Sequence, residues 1–441
     1  MQRLLPFLSL LLPFSLLAQD FKVDFTEYDL DNGLHVILHE DHSAPVVATT
    51  IMYDVGSKHE DPNVTGTAHY VEHLMFEGSK NIDTGMFAHY AEAAGGRLNA
   101  NTSWDRTFYF ELLPSNQLEL GLWLESERLM HARIADRKKG VETQRKVVME
   151  ERKQRVDNQP YGGFHMELKK RLFKKHPYKH PLIGHMDHIK KASKKDLNAI
   201  YDKYYVPSNA VLVVAGDIDI DSTKKLIKKY YAPIEKEGDP EEVKVDEPEL
   251  MDQAISDTIY DQVQLPGVVH GWKTPGVGSK DYYATDMLFR ILARGESSRM
   301  KENIVQKKQL AAQLFASPFP MYDDPGMSLS FALANSNVKA DSLNRAMEKE
   351  YERIRKEGVS QKEYEKVLDQ IEAELIQANS SIRRKATNLA TYYLLRGNTN
   401  LINTEVEQYK KVTPADIKRV ANKYLVPSNR VTLYYLPKSA K

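Results

Sequence analysis

The sequence predicts an α+β fold made of two homologous repeats, each with helices packed on a mainly antiparallel sheet. Three observations carry this. Lys203-Tyr204-Tyr205-Val206-Pro207-Ser208-Asn209 returns as Lys423-Tyr424-Leu425-Val426-Pro427-Ser428-Asn429, a shift of 220 positions from 209 to 429. Upstream, Ser193, Asp196, Leu197 and Ile200 keep that register with Thr413, Asp416, Ile417 and Val420; a match held over roughly twenty residues marks duplication. Strand-like and helical runs alternate within each repeat, and an acidic, proline-bearing stretch from Glu235 to Glu249 separates the two.

The elements follow in chain order. Arg3, an apolar run from Leu4 to Leu17, and Ala18-Gln19-Asp20 read as a secretory signal peptide cut after Ala18. The run is short of the ~20 residues of a membrane span and holds Pro6 and Pro13. Strands are expected at Gly33 to His39, Val46 to Tyr53 and Thr107 to Leu113, with helices at Gln117 to His131 and Val141 to Val156. Each repeated segment reads as an N-capped helix, a Pro-Ser-Asn turn and a strand, Ala210 to Ala215 and Arg430 to Tyr435. Val55-Gly56-Ser57-Lys58 is echoed by Val277-Gly278-Ser279-Lys280 before a second helix at Tyr283 to Arg290. The domain assignment is a leader at 1–18, a catalytic repeat at 19–238, a linker at 239–250 and a non-catalytic repeat at 251–441.

The 441 residues exceed one compact core. Lys+Arg and Asp+Glu number 61 each, so net charge points neither to nucleic acid nor to an anionic membrane. With no cysteine, disulfides and thiolate metal sites are excluded.

Chemistry concentrates in His69-Tyr70-Val71-Glu72-His73. Positions i, i+3 and i+4 of a helix share a face, so His69, Glu72 and His73 converge. Two neutral imidazoles suit zinc, and a nearby carboxylate that is not a ligand can serve as base for water. The alternative is a surface helix with two solvated histidines. A third ligand is expected from the helix at Val141 to Arg152, whose inward stripe reads Val141, Gln144, Val147, Val148 and Glu151. Helical phase favours Glu151 over Glu150. The second repeat has no histidine pair at its corresponding helix, so one repeat carries the chemistry and the other keeps the frame.

Together these residues resemble the pitrilysin/insulysin (insulinase-like) family of zinc metallopeptidases, in the shorter class that includes mitochondrial processing peptidase and its bacterial relatives. Gly66 to Ser79 is similar to the family's zinc helix, Gly95 to Ser103 with Thr107 and Tyr109 to its substrate-edge strand, and Val147 to Arg152 to the helix bearing the distal glutamate, again Glu151. The resemblance implies two halves closing like a clamshell around a chamber, one Zn²⁺ per chain held by His69, His73 and Glu151, and Glu72 as general base. It also implies small or unfolded peptides pairing as an added strand at Asn99 and Ala100.

Two departures qualify it. Gln144 stands where many members carry a second glutamate, and Val305 and Ala312 stand where active members supply an Arg and a Tyr from the second half. The resemblance therefore implies a zinc-bearing subunit of a heterodimer whose paralogous partner brings the missing pair. The alternatives are a self-sufficient enzyme, or a non-catalytic structural or peptide-binding subunit. Export to the periplasm, or outside the cell, follows from the leader. His176, His180, His185 and His188 are expected on the surface, Trp104 in packing, and Lys169-Lys170-Arg171 on a solvated helix face.

Overall fold

A computed structural model describes residues 22–132, 138–235, 237–238 and 240–440. The leader expected at 1–18 lies outside the described residues. The described residues form two sheets. The first contains β1 (Thr26–Asp29), β2 (His35–Glu40), β3 (Val46–Tyr53), β4 (Arg97–Thr102), β5 (Thr107–Pro114) and β6 (Ala210–Gly216), ordered β1-β2-β6-β3-β5-β4. The second contains β7 (Ile255–Asp261), β8 (Gly267–Thr274), β9 (Ala311–Pro318), β10 (Gly326–Ala334) and β11 (Arg430–Pro437), ordered β7-β11-β8-β10-β9.

Without β1 the two orders are the same. In each sheet the opening strand pairs in parallel with the closing one, β2 with β6 and β7 with β11, and the remaining pairs are antiparallel. The α+β class and the duplication predicted from sequence are both present.

The repeated turn shows why those residues recur. Ser193 and Thr413 each cap a helix reciprocally with an aspartate three residues on, Asp196 and Asp416. The buried amide of Asn209 then donates to the Tyr204 carbonyl at 2.9 Å and to the Asp54 carbonyl at 3.1 Å. Asn429 does the same to Tyr424 at 2.9 Å and Lys273 at 2.8 Å. One side chain thus satisfies a helix C-terminus and the end of the adjoining strand, where unpaired carbonyls would otherwise be buried.

Each sheet needs both faces covered, as the wholly buried run of β6 requires. One face of the first sheet packs on its own helices through Val36, Val47, Ile51 and Tyr53. Its other face, with Ile37, Ala48, Met52, Val211 and Val213, is covered by Ile382, Ala386, Leu389 and Ala390 of the helix Ile382–Arg396, from the second repeat. Reciprocally, Leu168 and Leu172 of the helix Phe164–Leu172, from the first repeat, cover Val269, Leu329, Val431 and Leu433 of the second sheet. A Cβ at Gly271 would meet Leu168 Cδ1 at 2.5 Å, so the absent side chain lets this helix seat. Each repeat lends the other a helix.

Two sequence expectations are corrected at this junction. Lys169 is not on a solvated face: it is 1 % exposed, lies over the Trp104 ring at 4.2 Å, and burial holds its pKa down to about 7. Only one side of the Phe164–Leu172 helix is solvated, because the other meets the opposite repeat. His176 is likewise buried, its Nε2 standing 3.3 Å from Asp323 Oδ2. Trp104 packs as expected, edge-on to Phe319. Within the linker region Glu247 is buried, accepts backbone N–H bonds from Lys174, Lys175 and His176, and pairs with Lys273 at 2.5 Å.

Candidate metal centre

The histidine pair sits on the helix Thr67–Leu74. Its first turn is anchored by Glu60, whose carboxylate accepts from the N–H groups of Gly66 at 2.7 Å and Ala68 at 2.8 Å. An acid at a helix N-terminus is favoured by exposed N–H groups and dipole; burial nonetheless pushes Glu60 up to about 8. Gly66 has φ +91, and a Cβ there would strike the Ile183 carbonyl at 2.7 Å. Thr65 Oγ1 lies 3.0 Å from His188 Nδ1 and accepts from the His185 N–H at 3.0 Å. The segment holding these histidines therefore secures the entry to the helix. Sequence reasoning missed both Glu60 and this contact.

The second helix, Lys138–Arg152, presents Val141 and Val148 inward, seven residues apart. Val147 departs from the expected stripe: it is 43 % exposed, because the true phase passes through 141, 144–145, 148 and 151–152. Glu151 keeps its place, at 16 % side-chain exposure against 55 % for Glu150. The Tyr70 hydroxyl donates to the Val141 carbonyl at 2.5 Å and ties the two helices together.

His69, His73 and Glu151 consequently meet. His73 Nε2 is 3.2 Å and His69 Nε2 3.7 Å from Glu151 Oε2, and the three donor atoms lie within 4.8 Å of one another. Ligands bound at about 2.0–2.2 Å to a tetrahedral zinc ion stand roughly 3.4 Å apart, so two imidazole nitrogens and a carboxylate oxygen at these spacings fit such an ion. Among the described residues this is the one group of three so arranged. Burial lowers His69 to about 4, which keeps it neutral, the form that binds metals. The hydrogen-bonded His73 ring holds Glu151 below its ordinary value, and Arg155 reaches its other oxygen at 2.6 Å.

The surroundings are less complete. His69 Nδ1 is buried without a hydrogen-bond partner, although a metal-binding imidazole ordinarily gives its second N–H to an acceptor. Gln144 does not fill that role; it donates to Glu77 Oε1 at 2.6 Å.

Glu72 is buried beside the trio. The Thr102 hydroxyl donates to its Oε2 at 2.5 Å. Burial raises the Glu72 pKa and the Thr102 bond opposes that rise. Thr102 ends β4, an outermost strand of its sheet, paired to β5 through Asn99 with Phe110 and Ala100 with Tyr109. Asn99 is exposed, and its Oδ1 accepts from the Ala100 N–H at 2.8 Å. Thr102 lies inside the run predicted as an edge, but nothing in the sequence indicated that its side chain would reach Glu72. Val305 sits in the helical turn Lys301–Lys307, and Ala312 is exposed on the edge strand β9.

Known proteins resemble this chain. Residues 35–185 match the insulinase family (peptidase family M16), and residues 191–371 match the domain described as the peptidase M16 inactive domain. The zinc protease PqqE of Helicobacter pylori is 31 % identical over 428 residues, covering 96 % of this chain and 95 % of its own. A crystal structure of a protease from Helicobacter pylori superposes with a TM-score of 0.86 at 29 % identity, covering 94 % of this chain and all of that one. The periplasmic protease PqqL of Escherichia coli shares the fold at 20 % identity and a TM-score of 0.77, with this chain spanning 48 % of it. With two repeats of one topology, a histidine pair facing a distant glutamate, and a relative alike along nearly its whole length, this chain belongs to the insulinase family of peptidases, family M16.

Proposed function

We propose that the protein is an exported zinc metalloendopeptidase, periplasmic or extracellular, that hydrolyses small or unfolded peptides as the zinc-bearing subunit of a heterodimer. The observation that carries the reading is the convergence of His69, His73 and Glu151 beside Glu72, at the end of a free sheet edge. Those three residues would hold one zinc ion; bound there, it supplies the Lewis acidity that polarises a peptide carbonyl and acidifies water.

The remaining work falls to the chain's own groups. An extended peptide adds to β4 through main-chain hydrogen bonds, with the Ala100 N–H exchanging its Asn99 contact for a substrate carbonyl. Only an unfolded segment can pair in this way, which explains the substrate class. Glu72, ionised at the outset, takes the proton of the attacking water and delivers it to the leaving amine. Thr102 fixes one oxygen of Glu72 and leaves the other to move the proton.

The partner supplies what Val305 and Ala312 lack, side chains able to hold the carbonyl oxygen as charge builds on it. That PqqL is about twice the length of this chain is consistent with two such units working together. No described helix is long and apolar enough to cross a membrane.

The test is a fluorogenic peptide assay of this chain alone and co-expressed with a neighbouring paralogue, with and without chelator. Chelator-sensitive cleavage confined to the mixture is expected. Full activity of the single chain removes the heterodimer, and chelator-insensitive activity removes the metal. Stoichiometric zinc in the purified chain separates this reading from a purely structural subunit.

A further inference from the structure

The far end of β4, away from Glu72, opens onto a cavity of about 330 Å³ between the two repeats, whose walls include Asp41, Arg97, Leu112, Ser381, Arg383 and Lys385. Its one carboxylate is already satisfied: Asp41 pairs with Lys385 Nζ at 2.6 Å and accepts from the Ser43 N–H at 3.0 Å. Arg97 and Arg383 are different. Neither guanidinium forms an ion pair or hydrogen bond with another described residue, and among the described residues the Arg383 guanidinium is steadied by the Phe110 ring, 5.1 Å beneath it. Two guanidinium groups without counter-ions among the described residues therefore share one cavity, and its described lining is net positive.

The strand register connects this cavity to the proposed cleavage site. Side chains of β4 alternate: Leu98, Ala100 and Thr102 turn toward the Thr67–Leu74 helix, whereas Arg97, Asn99 and Asn101 turn to the opposite face. A peptide added to this edge alternates in the same way, so every second side chain lies on the Arg97 face. Arg97 and Thr102 are five residues apart, or about 17 Å at 3.3 Å per residue.

Resting on the peptidase reading above, we infer that this cavity is a subsite for a substrate carboxylate about five residues from the cleaved bond. That carboxylate is either an acidic side chain or the peptide's free C-terminus. Paired guanidinium groups suit it because each presents a planar fork of donors matched to two carboxylate oxygens. The subsite lies far from the reacting atoms, so its contribution is equal in the ground and transition states and shows in KM rather than kcat.

The test uses quenched fluorogenic peptides with amidated C-termini, with Glu or Gln placed at successive positions on either side of the cleaved bond. A further arm contains no acid but ends in a free carboxylate five residues from that bond. On one flank, Glu near the fifth position is expected to lower KM about ten-fold relative to Gln, the size of a charge-assisted hydrogen bond. The free-terminus arm tells a side-chain carboxylate from a terminal one. In Arg97→Gln, Arg383→Gln and the double variant the Glu/Gln ratio falls toward one, and Arg97→Lys keeps part of it. Equal KM for Glu and Gln at every position, or a preference that survives the double variant, overturns the subsite. If no peptide is cleaved even with the partner present, the peptidase reading fails separately. The same Glu/Gln ratio is then sought in fluorescence-anisotropy binding of labelled peptides, and its absence there also overturns the subsite.

Discussion

The two repeats place the same helix after the same turn and furnish it with opposite kinds of side chain. After Val55-Gly56-Ser57-Lys58, the helix Thr67–Leu74 buries His69 and Glu72, polar groups that a core ordinarily excludes. After Val277-Gly278-Ser279-Lys280, the helix Tyr282–Ala293 buries Ala284, Met287, Leu288, Ile291 and Leu292, and its single acid, Asp286, is bound by Arg290 and Tyr409. The first of these helices carries its polar groups at a cost: His69 Nδ1 is buried without a hydrogen-bond partner, and burial raises the Glu72 pKa. The second repeat fills the corresponding helix with apolar packing.

The sharpest way to break this contrast is to neutralise the one acid on each helix. Glu72→Gln is expected to reduce peptide turnover by ~10²–10⁴, the range for a lost general base, with zinc content and thermal midpoint retained. Asp286→Asn is expected to leave turnover per folded molecule in place and to lower unfolding free energy by ~1–3 kcal/mol, because it weakens a buried charged hydrogen-bond set. Wild-type turnover in Glu72→Gln would place the base elsewhere.

The exchanged helices offer a symmetrical test. Leu168 and Leu389 lie on helices that each repeat lends to the other. Leu168→Ala and Leu389→Ala are each expected to cost ~2–5 kcal/mol in urea unfolding, through a single transition in both cases. Two separate transitions would show that the repeats fold independently and that the exchange is superficial.

A further test concerns Lys169, held to about 7 by burial when folded, against 10.5 as its ordinary value. Between those values the unfolded chain binds more protons, so stability rises with pH across that window and is lowest below it. Lys169→Met removes this dependence. Its stability gain over wild type, followed by thermal melting, should be larger at pH 7 than at pH 10. A gain that does not change with pH would mean that the amine reaches water.

Much of this was legible along the chain because it depends on local periodicity. The capping residues Ser193 and Thr413, the Asn209 and Asn429 turns, and the strand at Val46 to Tyr53 act on neighbours a few positions away, so their spacing reveals them. The i, i+3, i+4 spacing of His69, Glu72 and His73 belongs to the same class. Even the distant Glu151 could be selected by helical phase, although the same argument placed Val147 inward and the structure turns it out.

What no local pattern could disclose are contacts between segments far apart in sequence. Thr102 on Glu72, the helices traded between repeats, and the burial of Lys169 and His176 all arise where separate elements meet. A residue's own neighbours determine how it turns within a helix or strand. Which surface that element then covers is set by the shape and apolar area left exposed on the rest of the molecule, and that exists only once the chain has folded.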